Sequence, residues 1–345
     1  MIPTLARARR ARLILLSATL AVLTVACGGS ATPSTGSPAP TMSPTTASPG
    51  TSPGAGVGTC PTAAAPSEVP GWQVASGDPS VFPTLISSQQ VCGKNRFLFG
   101  FIDRQNQPAA TPDRTASVAF YNLARDPNAP VATVTARFQW LLEGRTGIYV
   151  ADVEYLEAGE WGAEFVTAVG SGTPEVIRAR FQVHGQGTAP GIGDPVPSEK
   201  TPTLADVDGD VTKISSDTTP DPRLYEVSLD QALAERRPIV IAFATPAFCK
   251  SQTCGPMLDV VKAVAKDEPD VAFINVEPYL LEFTDGRLQP VLDANNQLRP
   301  APVTLAFGIP SEPWVFVVDR TGLVTGSFEA TVGTDELEAA IASAK

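Results

Sequence analysis

Two cysteines, Cys249 and Cys254, stand in the stretch FATPAFCKSQTCGPMLDVV, Phe243 to Val261, directly after an apolar run. A thiol pair this close supports three chemistries: a redox couple, an inert staple or a metal clip. Geometry constrains the first two. Residues five apart in a continuous helix have Cα atoms roughly 8.6 Å apart, whereas a disulfide needs about 4.4–6.8 Å. A bond between them therefore requires the helix to begin near Cys254, and Pro256 favours that start because proline suits a first turn. Cys249 then lies in a loop and Cys254 at a helix N-terminus, where unpaired N–H groups favour a thiolate. Lys250 adds positive charge beside the pair. On electrostatics alone Cys254 is the better nucleophile, and the sequence leaves the choice open.

The chain holds one histidine, His184, so metal sites built on histidine and triads needing an imidazole base are excluded near the pair. No metal or other cofactor is implied. The acidic DVDGD run (Asp206, Asp208, Asp210) has a spacing like a calcium loop but lacks a glutamate at the twelfth position, so a solvated turn is the expectation. A net charge of −11, with no basic patch after the first dozen residues, speaks against nucleic-acid binding.

The elements around the pair alternate β and α from Arg223 onward. SLDQALAERR predicts a helix with Ser228 as N-cap, and PIVIAFA a buried central strand. PMLDVVKAVAKD places Met257, Leu258, Val261, Val264 and Ala265 on one helical face. DVAFINVE predicts a second buried strand, WVFVVDRTGLVTGSF a hairpin turning at Thr321-Gly322, and GTDELEAAIASA a last helix capped by Thr334 or Asp335.

This order, with a cysteine motif at a strand-to-helix junction, resembles the thioredoxin fold over about the last 120 residues. Three runs carry the resemblance: RPIVIAFATPAFC, the Cys254-Gly255-Pro256 triplet, and PWVFVVDRTG, which is similar to a run in membrane-tethered bacterial thioredoxins. The resemblance implies that Pro313 is a cis-proline facing the active sulfur and that Glu312 stands where a substrate-facing residue would be. It also implies thiol–disulfide exchange through Cys249 and Cys254, with Pro246, Lys250, Gly255, Pro256 and Glu312 shaping the site. By its place after the strand Cys249 matches the family's attacking cysteine, against the electrostatic preference for Cys254. The chain departs from the family in spacing its cysteines C-x4-C, with Met257 in the place of the second, and in carrying Ala242 where the family has a buried aspartate. C-x4-C is also similar to one peroxiredoxin subfamily, but that family's threonine is Pro246 counting from Cys249 or Ser251 counting from Cys254, and its late arginine is absent. Copper delivery of the respiratory-assembly kind needs C-x3-C and a later histidine, and neither is present. The non-enzymatic alternative is a binding lipoprotein with a structural disulfide.

The N-terminal part has a different grammar. Arg7, Arg9, Arg10 and Arg12 precede an apolar core, Leu13 to Val25, that is too short to span a bilayer comfortably. With LTVAC it resembles a bacterial lipoprotein signal over residues 1–27, which implies lipidation at Cys27 and a chain held on the extracytoplasmic side of a bacterial cell membrane. An ordinary export signal is the alternative. Residues 28–59, nearly all Ser, Thr, Pro, Gly and Ala, predict a disordered tether. Residues 60–185 alternate with period two through RFLFGFID, ASVAFYNL, ATVTARFQWL, GIYVADVEYL, WGAEFVTAVG and VIRARFQV, which predicts an all-β, immunoglobulin-like sandwich. Cys60 and Cys92 predict a structural disulfide there. Residues 186–222 read as a Pro/Gly-rich linker and 223–345 as the α/β thioredoxin-like domain. The expected partners are client proteins with cysteines or a membrane electron donor, together with the membrane itself through Cys27.

Overall fold

The computed structural model describes residues 60–63, 72 and 77–345. The signal segment, the lipidation candidate Cys27 and the tether lie outside the described residues.

Among the described residues, eight strands precede the linker. They are β1 (Val81–Leu85), β2 (Gly93–Asp103), β3 (Arg114–Asn122), β4 (Ala132–Thr135), β5 (Arg137–Leu142), β6 (Thr146–Tyr155), β7 (Gly159–Val169) and β8 (Glu175–Val183). They form two antiparallel four-stranded sheets, ordered β1-β2-β6-β5 and β4-β3-β7-β8. Alternate side chains from both sheets meet in one aromatic core that includes Phe97, Phe99, Phe120, Tyr149, Trp161 and Phe165. Cys60 and Cys92 are disulfide-bonded, with Cα atoms 6.2 Å apart.

One sequence expectation changes here, and one strand is added. ATVTARFQWL is not one strand: the chain leaves β4, bonds Ala136 N–H to Ala116 O, and enters β5 in the other sheet. The alternation runs through the crossing unbroken, so no breaker residue marks it. VFPTL forms β1 despite Pro83, which an edge strand tolerates because its outward side needs no ladder bond.

The rest of the chain builds a mixed sheet. Its elements are α1 (Leu229–Ala234), β9 (Ile239–Phe243), α2 (Cys254–Val264), β10 (Ala272–Val276), β11 (Leu281–Thr284), β12 (Arg287–Pro290), α3 (Pro302–Phe307), β13 (Trp314–Val318), β14 (Val324–Glu329) and α4 (Thr334–Ala344). The sheet order is β10-β9-β13-β14, with β10 parallel to β9 and the remaining pairs antiparallel. β9 is central and wholly buried, which explains an uninterrupted apolar run in place of alternation. One face of the sheet packs α2 and α4 through Met257, Leu258, Val261, Leu337 and Ile341. The other packs α1 and α3 through Leu229, Phe243, Phe307 and Phe316. Glycine, not Thr334 or Asp335, occupies the cap of α4: Gly333 N–H donates to the Glu336 carboxylate at 3.0 Å. Ser228 is the N-cap residue of α1, as its position suggests.

β11 and β12 form a separate hairpin between β10 and α3. Asp285 and Gly286 both have positive φ, +53° and +75°, the signature of a type I′ turn. The linker is ordered rather than loose: residues 204–207, 211–213 and 222–225 form short 3-10 turns. Leu204, Val211 and Ile214 pack against the core beneath α2. Asp206 and Asp210 cap Thr203 and Thr212 in these turns. Among the described residues no group of three or more His, Cys, Asp or Glu side chains converges on a metal position.

The sandwich meets the mixed sheet through polar contacts. Arg96 of β2 pairs with Glu336 of α4 at 3.0 Å and lies over the Phe328 ring, and Arg137 of β5 reaches the same carboxylate. Ser88 N–H donates to Glu329 at 2.9 Å. Burial pushes Glu336 up, but Arg96 and Arg137 outweigh it and hold the carboxyl below its ordinary range.

Candidate functional site

Cys249 and Cys254 are disulfide-bonded, with Cα atoms 6.1 Å apart. The backbone reaches this separation as the spacing requires: α2 begins at Cys254, so the six residues are not one helix. Between them Gln252 enters the left-handed region at φ +64°, which curls the loop. That conformation costs a non-glycine residue roughly 1 kcal/mol. Pro256 is the third residue of α2, where its missing N–H breaks no intrahelical bond.

The two sulfurs are not equivalent. Cys254 is 0 % exposed, sealed among Ala242, Ala244, Met257 and Leu258. Cys249 is partly exposed, resting against the edge of the same cluster. Cys254 N–H, the first of α2, donates to Cys249 Sγ at 3.3 Å. The positive helix end thus acts on Cys249, not on the residue that begins the helix. This reverses the electrostatic preference that the sequence suggests.

One hydroxyl lies against Cys249 and leads on to others. Ser251 Oγ lies 3.2 Å from its sulfur and 2.8 Å from Thr253 Oγ1, and donates to Glu312 O at 3.5 Å. The Glu312–Pro313 peptide bond is cis, as the resemblance implies, and β13 starts immediately after it. The Glu312 carboxylate accepts from Tyr279 OH at 2.7 Å. Burial, then the neighbouring Glu312, push the Tyr279 hydroxyl above its ordinary value. Lys250 and Pro256 are exposed, and Pro246 and Gly255 are partly buried. A Cβ added at Gly255 would meet nothing within 4 Å, so packing does not demand glycine there.

Behind the disulfide the sheet face is polar where an aspartate is absent. Ala242 pairs in register with Asn275 of β10. Asn275 Nδ2 donates to Tyr225 OH at 2.9 Å and to Ala244 O at 3.4 Å. Glu277, just past β10, accepts from Ser216 N–H at 2.6 Å. Burial pushes the Glu277 carboxyl up to about 7, against the pull of Thr245 and Ser216 and with help from Asp217. Sequence reasoning missed Ser216, Tyr225, Asn275, Glu277 and Tyr279. A polar residue ending an otherwise apolar strand, as in AFINVE, was the available signal for Asn275 and Glu277.

A cavity of about 480 Å³ lies elsewhere, in the seam between the sandwich and β14, lined by residues that include Arg96, Ile192, Trp314, Phe328 and Glu329. Neither cysteine of the 249–254 pair lines it. His184 is exposed just past the end of β8, paired through its backbone with Val91 and Cys92. No helix among the described residues is long and apolar enough to cross a membrane.

No protein-family model matches the chain, and no curated protein matches it. Among solved structures, the soluble domain of PmoD from Methylocystis sp. ATCC 49242 (Rockwell) is similar at 15 % identity, over 32 % of this chain and 95 % of that one. Its TM-score of 0.20 is too low to carry an argument about fold or function.

Proposed function

We propose that the chain is an extracytoplasmic thiol–disulfide exchange protein of thioredoxin-like type, with Cys249 as its reacting sulfur. One observation carries the reading: a disulfide at a strand-to-helix junction presents one partly exposed sulfur, contacted by the first helix N–H, while its partner is sealed in the core. In the oxidising direction a client thiolate attacks Cys249 Sγ, and the Cys249–Cys254 bond breaks. Cys254 leaves as a thiolate and takes up a proton, and a mixed disulfide joins the client to Cys249. A second client thiolate then attacks the client sulfur of that bond and expels Cys249. The client dithiol is oxidised to a disulfide and the protein disulfide is reduced to two thiols. The reducing direction is the same sequence reversed, with Cys249 as attacking thiolate. The Cys254 N–H stabilises charge on Cys249 in either direction.

The mixed sheet with helices on both faces supports the thioredoxin-like assignment, and the two facing antiparallel sheets support an immunoglobulin-like sandwich. The N-terminal segment supports a lipid anchor at Cys27, which would hold the site near membrane electron donors and exported clients. The test is trapping. A Cys254→Ser protein, unable to resolve its mixed disulfides, is expected to accumulate covalent adducts with cysteine-containing exported proteins, released by dithiothreitol. If neither Cys254→Ser nor Cys249→Ser yields adducts, and the wild-type bond resists dithiothreitol in the folded protein, the reading fails.

A further inference from the structure

The exchange step uses the two sulfurs and the helix end but leaves Glu277 without a role. Glu277 Oε1 accepts from Ser216 N–H, while Oε2 is shielded from solvent and has no partner. Ser216 is itself a bridge. Its hydroxyl accepts from Ala247 N–H at 3.3 Å and lies 3.4 Å from Thr245 Oγ1. Thr245 and Ala247 belong to the loop that ends at Cys249. The linker around Ser216 is held on other sides too: Ser215 accepts from Tyr225 OH at 2.8 Å, and Asp217 pairs with Lys262 of α2 at 2.8 Å.

We propose that Glu277 is a positioning residue for the disulfide, holding the loop of Cys249 through Ser216 and making the reactivity of that bond depend on pH. The inference rests on the exchange reading of Cys249–Cys254. Its physical basis is that an ionised carboxylate is a stronger acceptor than a neutral carboxyl, so ionisation tightens the clasp on Ser216. The charged and titratable groups around Glu277 are Asp217 of the linker, Tyr225 of the adjoining turn and, through Asp217, Lys262 of α2. Asp217 opposes a second negative charge, and Lys262 is already committed to Asp217. Burial, the largest cause, brings the transition to about 7. Below it the clasp is weak and the loop yields. Above it the loop is pinned with Cys249 against the edge of the core cluster that includes Ala244 and Met257, and an incoming thiolate meets a less accessible sulfur.

The experiment measures the second-order rate of reduction of the full chain by dithiothreitol between about pH 5.5 and 8.5, corrected for the reductant's thiolate fraction. The corrected wild-type rate is expected to fall by about fivefold through a transition near neutral pH, the difference between a charged and a neutral hydrogen bond. Glu277→Gln keeps an acceptor for Ser216 N–H but cannot ionise, and its profile should be flat at the wild-type acidic rate. Ser216→Ala keeps the carboxyl and the N–H but cuts the link to Ala247, and should also be flat. It carries the test if Glu277→Gln does not fold. A wild-type profile without the transition, or a transition that survives in either variant, overturns the inference while leaving exchange intact. A bond inert to dithiothreitol at every pH refutes the exchange reading instead, and this inference with it.

Discussion

Replacing Glu277 by glutamine should stabilise the protein, and only above acid pH. The carboxyl titrates in the fold at about 7, raised from its ordinary 4.5 by burial, with Oε2 unpartnered. Below about pH 4.5 folded and unfolded chains both hold the proton, and the group contributes nothing that depends on pH. As pH rises from there to about 7, the unfolded chain releases a proton that the folded chain keeps, so stability falls; above 7 the penalty is fully present. A displacement of this size is on the order of 3 kcal/mol, at about 1.4 kcal/mol per pKa unit. Glutamine fits the same space, can accept from Ser216 N–H and carries no charge. The assay is urea unfolding of wild type and Glu277→Gln at steps from about pH 4 to 8. The difference in unfolding free energy should widen by about 2–3 kcal/mol in favour of the variant, entirely below about pH 8. Parallel curves, or a variant that loses ground as pH rises, would refute the claim that this carboxyl is buried at an energetic cost.

The Cys60–Cys92 bond closes a separation of 32 residues, so Cys60→Ala with Cys92→Ala should lower unfolding free energy by roughly 3–4 kcal/mol in the chain-entropy model, read by urea titration. A loss below about 1 kcal/mol would mean the unfolded chain is not loosened by removing it. Glu336→Gln leaves Arg96 and Arg137 without their shared carboxylate and should cost about 2–4 kcal/mol near neutral pH. Because Arg96 and Arg137 depress the Glu336 carboxyl below its ordinary range, the cost should shrink as acid protonates wild-type Glu336, and a difference that does not change with pH would contradict the pairing.

Much of the frame was legible because local and tertiary demands agree. The apolar run of β9 has one reading, a strand buried on both faces. The spacing of Met257, Leu258 and Val261 has one reading, an inward helical face. Pro256 fixed the helix start, and with it the way a C-x4-C pair closes. What stayed hidden depends on contacts distant in sequence. Which sulfur is accessible turns on the core that seals Cys254, and Leu204, Val211 and Ile214 are added to that core by a segment whose Pro/Gly content suggests a loose linker. The split between β4 and β5 is decided by which sheet each half joins, and alternation is the same in both. The hairpin at Asp285-Gly286 carried a readable turn signal that the flanking residues, only four long on each side, did not reinforce. Glu277 is a carboxylate whose character comes from burial, in a site whose hydrogen-bond donor, Ser216, lies sixty-one residues away.

The most direct test of the central claim is the order in which the two sulfurs react. The full chain is reduced with dithiothreitol, freed of reductant, and treated with iodoacetamide for increasing times under native conditions. Mass mapping then gives a rate for each cysteine. Cys249, partly exposed and contacted by the α2 N–H, should be alkylated at least about tenfold faster than the sealed Cys254. Equal rates, or faster alkylation of Cys254, would contradict the assignment of Cys249 as the reacting sulfur.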